Sequence, residues 1–242
     1  MDGFFSHTYS VDYRAINKNL GLTLPCLIEY LQETSIKHCG SIGYGIGYFK
    51  SKMEAFVLAN WHVEVYRYPM FGENFKIVTF PTYLKSFLAE RAFVAYDESG
   101  NMLAAASSKW VYIDLNSHLP TKPPAEMFEA FKPLGGPQLK KAYNFKLDEG
   151  YSLLAGQKIL TKNSDVDSNR HVNNTRYIFW AMDLLSPDEY CNKKISCLKV
   201  VYKKECTEGQ GLIAELYGKG NERIAVIKGE EEIYCNVYFI LG

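Results

Sequence analysis

The run Thr23-Leu-Pro-Cys-Leu-Ile-Glu-Tyr-Leu-Gln-Glu-Thr-Ser-Ile-Lys-His-Cys-Gly40 has the marks of one long helix. Thr23 can cap its first turn, Pro25 fits inside that turn, and Gly40 can close the far end. Leu24, Leu27, Ile28, Leu31 and Ser35 recur at helical spacing and make a narrow apolar stripe, so a helix is predicted over 24–39. Working outward, a strand candidate precedes it at 4–13. Others follow at 53–68, 74–81, 87–97 and 102–115, with Asp97-Glu-Ser-Gly-Asn101 as a hairpin connection.

The same order returns later in the chain. A strand candidate at 151–160 precedes a helix predicted over 174–185, whose stripe is Ile178, Ala181, Met182 and Leu185. Strands are then expected at 196–205, 211–217, 223–228 and 232–241. Between the halves, Leu119-Pro-Thr-Lys-Pro-Pro-Ala-Glu-Met-Phe-Glu-Ala-Phe-Lys-Pro-Leu-Gly-Gly-Pro137 is rich in Pro and Gly. It is expected as a linker with one short helical turn over 125–131. One strand, one long helix and about four strands, used twice, predict a duplicated α+β unit. A curling antiparallel sheet wrapped on a helix buries one face of each, and that arrangement is the hot-dog fold. The expectation is a tandem (double) hot-dog with its sheets side by side: an N-terminal unit over 1–130, a linker over 131–145 and a C-terminal unit over 146–242. A β-barrel lipid binder, the rival architecture, needs no long central helix.

Composition narrows the function classes. Lys plus Arg and Asp plus Glu both total 27, so net charge makes no case for nucleic acid. Aromatics reach 14%, which suits strands or a wide apolar pocket. No apolar stretch approaches the roughly 20 residues that span a bilayer, and no secretory signal pattern opens the chain. A cytoplasmic protein without a membrane segment is expected. Its six cysteines show no metal-ligand spacing and are expected as reduced thiols. The glycine-rich run 40–47 lacks the Gly-Lys-Ser/Thr of a phosphate cradle.

The densest polar cluster is Asn163-Ser-Asp-Val-Asp167-Ser-Asn169-Arg-His171-Val-Asn-Asn174, just ahead of the second helix. Asp167, Asn169 and His171 alternate, so an extended backbone would point all three one way. A carboxylate, an amide and an imidazole near a helix N-terminus can hold a carbonyl, move a proton and stabilise an oxyanion. Asp and Asn runs ahead of helices also serve as turns and caps, and spacing alone leaves that reading open. His7, His38, His62 and His118 lack such company and are read as structural.

This segment, with Thr175-Arg-Tyr177-Ile after it, resembles the signature of the plant and bacterial fatty acyl-acyl carrier protein (ACP) thioesterases. Tyr202-Lys-Lys-Glu205-Cys206 resembles that family's Tyr-Arg-Arg-Glu-Cys segment, and Arg67-Tyr-Pro69 with Gly72 its Arg-Tyr-Pro-x-x-Gly turn. The resemblance implies a double hot-dog that hydrolyses acyl-ACP to free fatty acid and carrier thiol in fatty-acid biosynthesis, with neither cofactor nor metal. It places the catalytic set on Asp167, Asn169, His171 and Glu205, with Cys206 beside them. Asp167 or Glu205 would orient or deprotonate a water, Asn169 donate to the carbonyl or hold the water in line, and His171 polarise the thioester or protonate the leaving thiolate. Cys206 is the rival nucleophile, although a neighbouring carboxylate opposes thiolate formation. The first half is implied to shape the acyl pocket and set chain length.

Aligning Tyr66 with Tyr202 sets Glu205 against Pro69, and Ala15-Ile-Asn17-Lys-Asn19 lacks the Asp-x-Asn-x-His pattern. Residues 151–204 hold nine Lys/Arg against five Asp/Glu, a basic approach suited to an acidic carrier. The partner expected is acyl carrier protein, with the chain a monomer or homodimer. An acyl-CoA thioesterase, a hydroxyacyl-thioester dehydratase and a non-catalytic acyl-thioester binder are the alternatives.

Overall fold

The computed structural model describes residues 3–134, 145–167 and 169–242, and most of the expected linker lies outside them. The chain divides into two units. The first takes the described residues up to 59 together with 65–134; the second takes 60–64 together with those from 145 onward.

In the first unit β1 (Phe5–Ser10) leads to α1 (Leu24–Ser41) and then to a short α2 (Ile46–Lys52). Strands β2 (Glu54–Val65), β3 (Asn74–Lys85), β4 (Leu88–Asp97) and β5 (Met102–Asp114) follow, with a two-residue β6 (Leu119–Pro120) and α3 (Ala125–Phe131) after them. The sheet order is β1-β3-β4-β5-β2, with the β1–β3, β3–β4 and β4–β5 pairs antiparallel. Thr23 caps α1 as its sequence suggests, its hydroxyl accepting from Cys26 N at 3.4 Å. Gly40 does not close the helix, which runs one residue further, and the left-handed glycine is Gly43 at φ +89°. The stripe Leu27, Ile28 and Leu31 is buried where α1 packs on β1 and β3. The Asp97–Asn101 hairpin forms: Asn101 N donates to Asp97 Oδ1 at 2.8 Å, and Gly100 takes φ +83°.

The second unit begins with β7 (Ser152–Leu160) and α4 (Asn174–Met182). A short α5 (Pro187–Asn192) precedes β8 (Ile195–Tyr202), β9 (Gly211–Lys219), β10 (Glu222–Lys228) and β11 (Ile233–Leu241). The strand order is β8-β11-β10-β9-β7, all antiparallel, and residues 60–64 of β2 pair with β8 on its other side. Helix α4 packs on β9, β10 and β11 through Ile178 and Ala181, both 0% exposed. It stops three residues short of its predicted end. The chain then turns into α5, held by a reciprocal capping box in which Ser186 Oγ accepts from Glu189 N and Glu189 Oε2 accepts from Ser186 N. Ser186-Pro-Asp-Glu189 is a legible start signal for that helix. All six cysteines are free thiols.

Because Ile178 fills a core with no exposed side, Ile178→Ala should lower unfolding free energy by about 2–5 kcal/mol in urea denaturation. Ser186→Ala, which removes only a cap, should cost about 1 kcal/mol.

Candidate active site

The polar segment ahead of α4 is a closed turn, which corrects the expectation of an extended backbone. Val166 and Val172 form an isolated antiparallel bridge, and Asp167 N donates to His171 O at 2.9 Å. Within that loop Asp167 Oδ1 accepts from Asn169 N at 2.8 Å, an Asx turn. Arg170 completes the reversal in the left-handed region at φ +65°. A side chain that bonds backbone two residues on competes with extension, and here it wins. The carboxylate of Asp167 thus serves its own turn, and Asn169 is exposed on the tip.

His171 stands on the returning arm. Val172 N donates to Cys206 O at 2.7 Å, fastening that arm to the chain just beyond β8. The imidazole Nε2 then lies 3.4 Å from Glu205 Oε2, with 31% of the His171 side chain and 40% of the Glu205 side chain exposed. An imidazole and a carboxylate at this separation can pass a proton between them and still reach solvent or substrate. Cys206 faces inward at 1% exposure, and its Sγ donates weakly to Thr207 O at 3.6 Å. Burial pushes its thiol up to about 11, partly offset by a hydrogen bond from the Tyr177 hydroxyl.

Asp165 and Arg176 support the loop from behind, and neither stands out on spacing alone. The buried Asp165 accepts from Lys162 N through Oδ2 at 2.9 Å. Its Oδ1 lies 2.8 Å from Arg176 Nε, off the N–H axis, as an ion pair rather than a directed hydrogen bond. Asn173 caps α4 by accepting from Thr175 N at 3.0 Å, and the Tyr202 hydroxyl donates to Asn174 O at 3.0 Å.

The first unit repeats the main bonds of this turn. Ile16 and Leu22 form the bridge, Asn17 N donates to Gly21 O at 2.9 Å, and Asn17 Oδ1 accepts from Asn19 N at 2.9 Å. Leu20 holds φ +62°, and Leu22 N donates to Pro69 O at 2.9 Å. By these bonds Asp167 matches Asn17, Asn169 matches Asn19, and His171 matches Gly21. Cys206 matches Pro69, so Glu205 matches Tyr68. The ungapped alignment of Tyr66 with Tyr202 is therefore one residue out of register at this point.

A thiol whose pKa is pushed up to about 11 holds roughly one thiolate in a thousand at pH 8. Iodoacetamide at that pH should leave Cys206 unlabelled in the folded protein and label it on unfolding, as peptide mass spectrometry would show. Rapid labelling in the folded state would contradict the inert thiol described.

Comparison with known proteins places this loop in a family. The acyl-ACP thioesterase N-terminal domain matches residues 2–131 and the acyl-ACP thioesterase C-terminal domain matches 155–238. The chloroplastic palmitoyl-acyl carrier protein thioesterase of Gossypium hirsutum is 28% identical over 214 residues, covering 84% of this chain and 52% of that protein. Oleoyl-acyl carrier protein thioesterase 1 of Arabidopsis thaliana is 24% identical over 212 residues, covering 80% and 58%. The chain thus spans about half the length of the curated relatives it matches. Among solved structures, an acyl-ACP thioesterase from Bacteroides thetaiotaomicron superposes with a TM-score of 0.88 at 22% identity, covering 100% of this chain and 98% of that one. The 12:0-ACP thioesterase from Umbellularia californica gives 0.85 at 18%, again covering 100% and 98%. These likenesses make the fold the α+β double hot-dog. With both domains matched in order over most of its length, the chain belongs to the acyl-ACP thioesterase family.

Proposed function

We propose that this chain hydrolyses the thioester of fatty acyl-ACP, releasing a free fatty acid and the carrier thiol. The observation that carries the reading is the His171–Glu205 pair at 3.4 Å, hung on a turn whose twin in the first unit keeps the backbone and lacks the pair. Family membership and the names of the relatives agree with it.

Hydrolysis needs a water oxygen to form a bond to the thioester carbon, a proton to leave that water, and a proton to reach the departing sulfur. The His171–Glu205 pair can do both transfers, taking the proton as the tetrahedral oxyanion forms and returning it as the C–S bond breaks. Asn169, exposed at the tip of the turn, is the amide for the carbonyl oxygen. Asp167 orients the water or the turn itself. Cys206, buried with its thiol protonated, stands beside the reaction rather than as nucleophile. The first unit is the part that shapes the acyl compartment and sets chain length. The substrate is presented by a carrier protein whose acidic surface meets Lys203 and its neighbours. Such a reaction ends carrier-bound elongation in fatty-acid biosynthesis, here in the cytoplasm.

His171→Ala and Glu205→Gln should each lower kcat by about 10²–10⁴, and Asn169→Ala by about 10²–10³, with folding unchanged by circular dichroism. Asp167→Asn reproduces the side chain that already closes the first unit's turn, so any loss it causes is chemical. Cys206→Ser retaining most of its turnover supports water as nucleophile; a folded, inactive Cys206→Ser restores the thiol. Thiol release on incubation with acyl-ACP decides the reaction itself, since a binder releases none and a dehydratase releases water.

Lys204 is already engaged by Glu232 through a close ion pair. Lys203→Glu should therefore raise KM for acyl-ACP more than Lys204→Glu does. Neither should change KM for a small acyl thioester, and the difference should shrink at high salt. Equal effects on both substrates would remove the carrier contact.

A further inference from the structure

Behind the His171–Glu205 pair the second unit buries a small group of hydroxyls and thiols. Tyr177, on the first turn of α4, is 2% exposed, and its hydroxyl donates to the Cys206 sulfur. That sulfur passes its own proton to Thr207 O at 3.6 Å. Burial first, and then the neighbouring Cys206, Cys235, Tyr234 and Glu205, push the Tyr177 phenol above its ordinary range, so it keeps its proton and can donate. Trp180 and Tyr202 meet its ring edge to face, at 5.3 and 5.9 Å between centroids. The Tyr202 hydroxyl in turn donates to Asn174 O at the start of the same helix.

The first unit supplies the control. Its Leu27 stands as far into α1 from Leu24 as Tyr177 stands into α4 from Asn174. Tyr66 N and Arg67 N both donate to Leu103 O, as Lys203 N and Lys204 N both donate to Tyr234 O. Leu103 therefore matches Tyr234, and Val65 matches Tyr202. With Pro69 in the place of Cys206, the first unit is hydrocarbon at all four positions, each of them buried. The turn and the helix start thus close without these polar groups, and a buried hydroxyl lowers stability unless it is partnered. Hydroxyls and a thiol accompany His171 and Glu205, while hydrocarbon accompanies Gly21 and Tyr68.

We propose that Tyr177 is a positioning residue for the His171–Glu205 pair, fixing the Glu205–Cys206 step against the imidazole through the Cys206 side chain. Two contacts hold Cys206: Val172 N on its carbonyl and the Tyr177 hydroxyl on its sulfur. The first sets where the residue lies, and the second sets how the segment carrying Glu205 is turned. Without the second, Glu205 keeps its place in the chain and loses its aim. As a statement about catalysis, this rests on the reading that the pair carries out the hydrolysis.

The test is Tyr177→Phe, which keeps the ring and removes only the hydroxyl. Its kcat for acyl-ACP should fall about 10- to 100-fold with KM unchanged, the range for a catalytic group displaced from afar. Cys206→Ala removes the same contact from its other end and should fall to a like extent. Cys206→Ser, whose hydroxyl can accept and donate as the thiol does, should keep most of its turnover. In a Glu205→Gln background Tyr177→Phe should add little, because it acts through that carboxylate. In nitrogen NMR the His171 ring signals, identified by their loss in His171→Ala, should move in Tyr177→Phe while those of the other four histidines stay. Full turnover in Tyr177→Phe, an equal loss in the Glu205→Gln background, or unmoved His171 signals would each overturn the proposal. If Tyr177→Phe does not fold, Cys206→Ala decides on the same readings. An unaltered protein without turnover whose His171 signals answer to Tyr177→Phe would remove the hydrolase reading and leave the positioning role. Turnover indifferent to Tyr177→Phe does the reverse.

Discussion

The contact on which the site depends is the hydrogen bond from Val172 N to the Cys206 carbonyl, 2.7 Å long. It joins two stretches far apart in the chain: the arm that leads into α4 and the segment that leaves β8. As a stabilising term one such bond is worth about 1 kcal/mol. Its larger effect is geometric. With that bond made, His171 and Glu205 are each one residue from a fixed point, and their side chains meet at 3.4 Å without either being buried. The Asp165–Arg176 pair and the Asn173 cap then hold the arm at its base.

The interior divides in an instructive way. Under α4 the second unit presents the apolar Leu212, Ala214, Leu216, Ala225 and Ile227, and the chemistry is kept on the loop ahead of the helix. The first unit does the opposite, putting the Arg91 guanidinium of β4 against the His38 imidazole of α1, among aromatic rings. Burying charge there lowers stability, and it sits beside a helix, α1, twice the length of α4. Stability and polarity are thus traded in different places in the two halves.

Most of the fold was legible because its elements announce themselves. The Thr23 cap and the Leu24–Leu31 stripe mark α1, and the strands alternate between turn signals. What was missed was short or local. Helix α5 hides behind an expected extension of α4, although Ser186 and Glu189 spell its capping box. The Asp167–His171 segment alternates like a strand, and only the Asx bond and the left-handed Arg170 make it a turn. The one-residue slip that set Glu205 against Pro69 came from aligning strands without regard to where their ends are pinned. His38 could not be told from an ordinary core histidine, since its partner Arg91 is distant in sequence and next to it only in space.

The twin turns also bear on how such a chain could arise and diverge. Both loops are closed by main-chain bonds and one Asx side chain, with a non-glycine residue left-handed at the same step, Leu20 and Arg170. At Gly21, the counterpart of His171, an added Cβ would make only ordinary contacts, 3.8 Å from Asn17 Oδ1 and 3.9 Å from Met70 Sδ. Neither loop's architecture is tied to the residues on its rim. After a doubling event one copy was therefore free to drift: losing an imidazole or a carboxylate there carries little folding penalty, so selection on catalysis alone decides which copy keeps them.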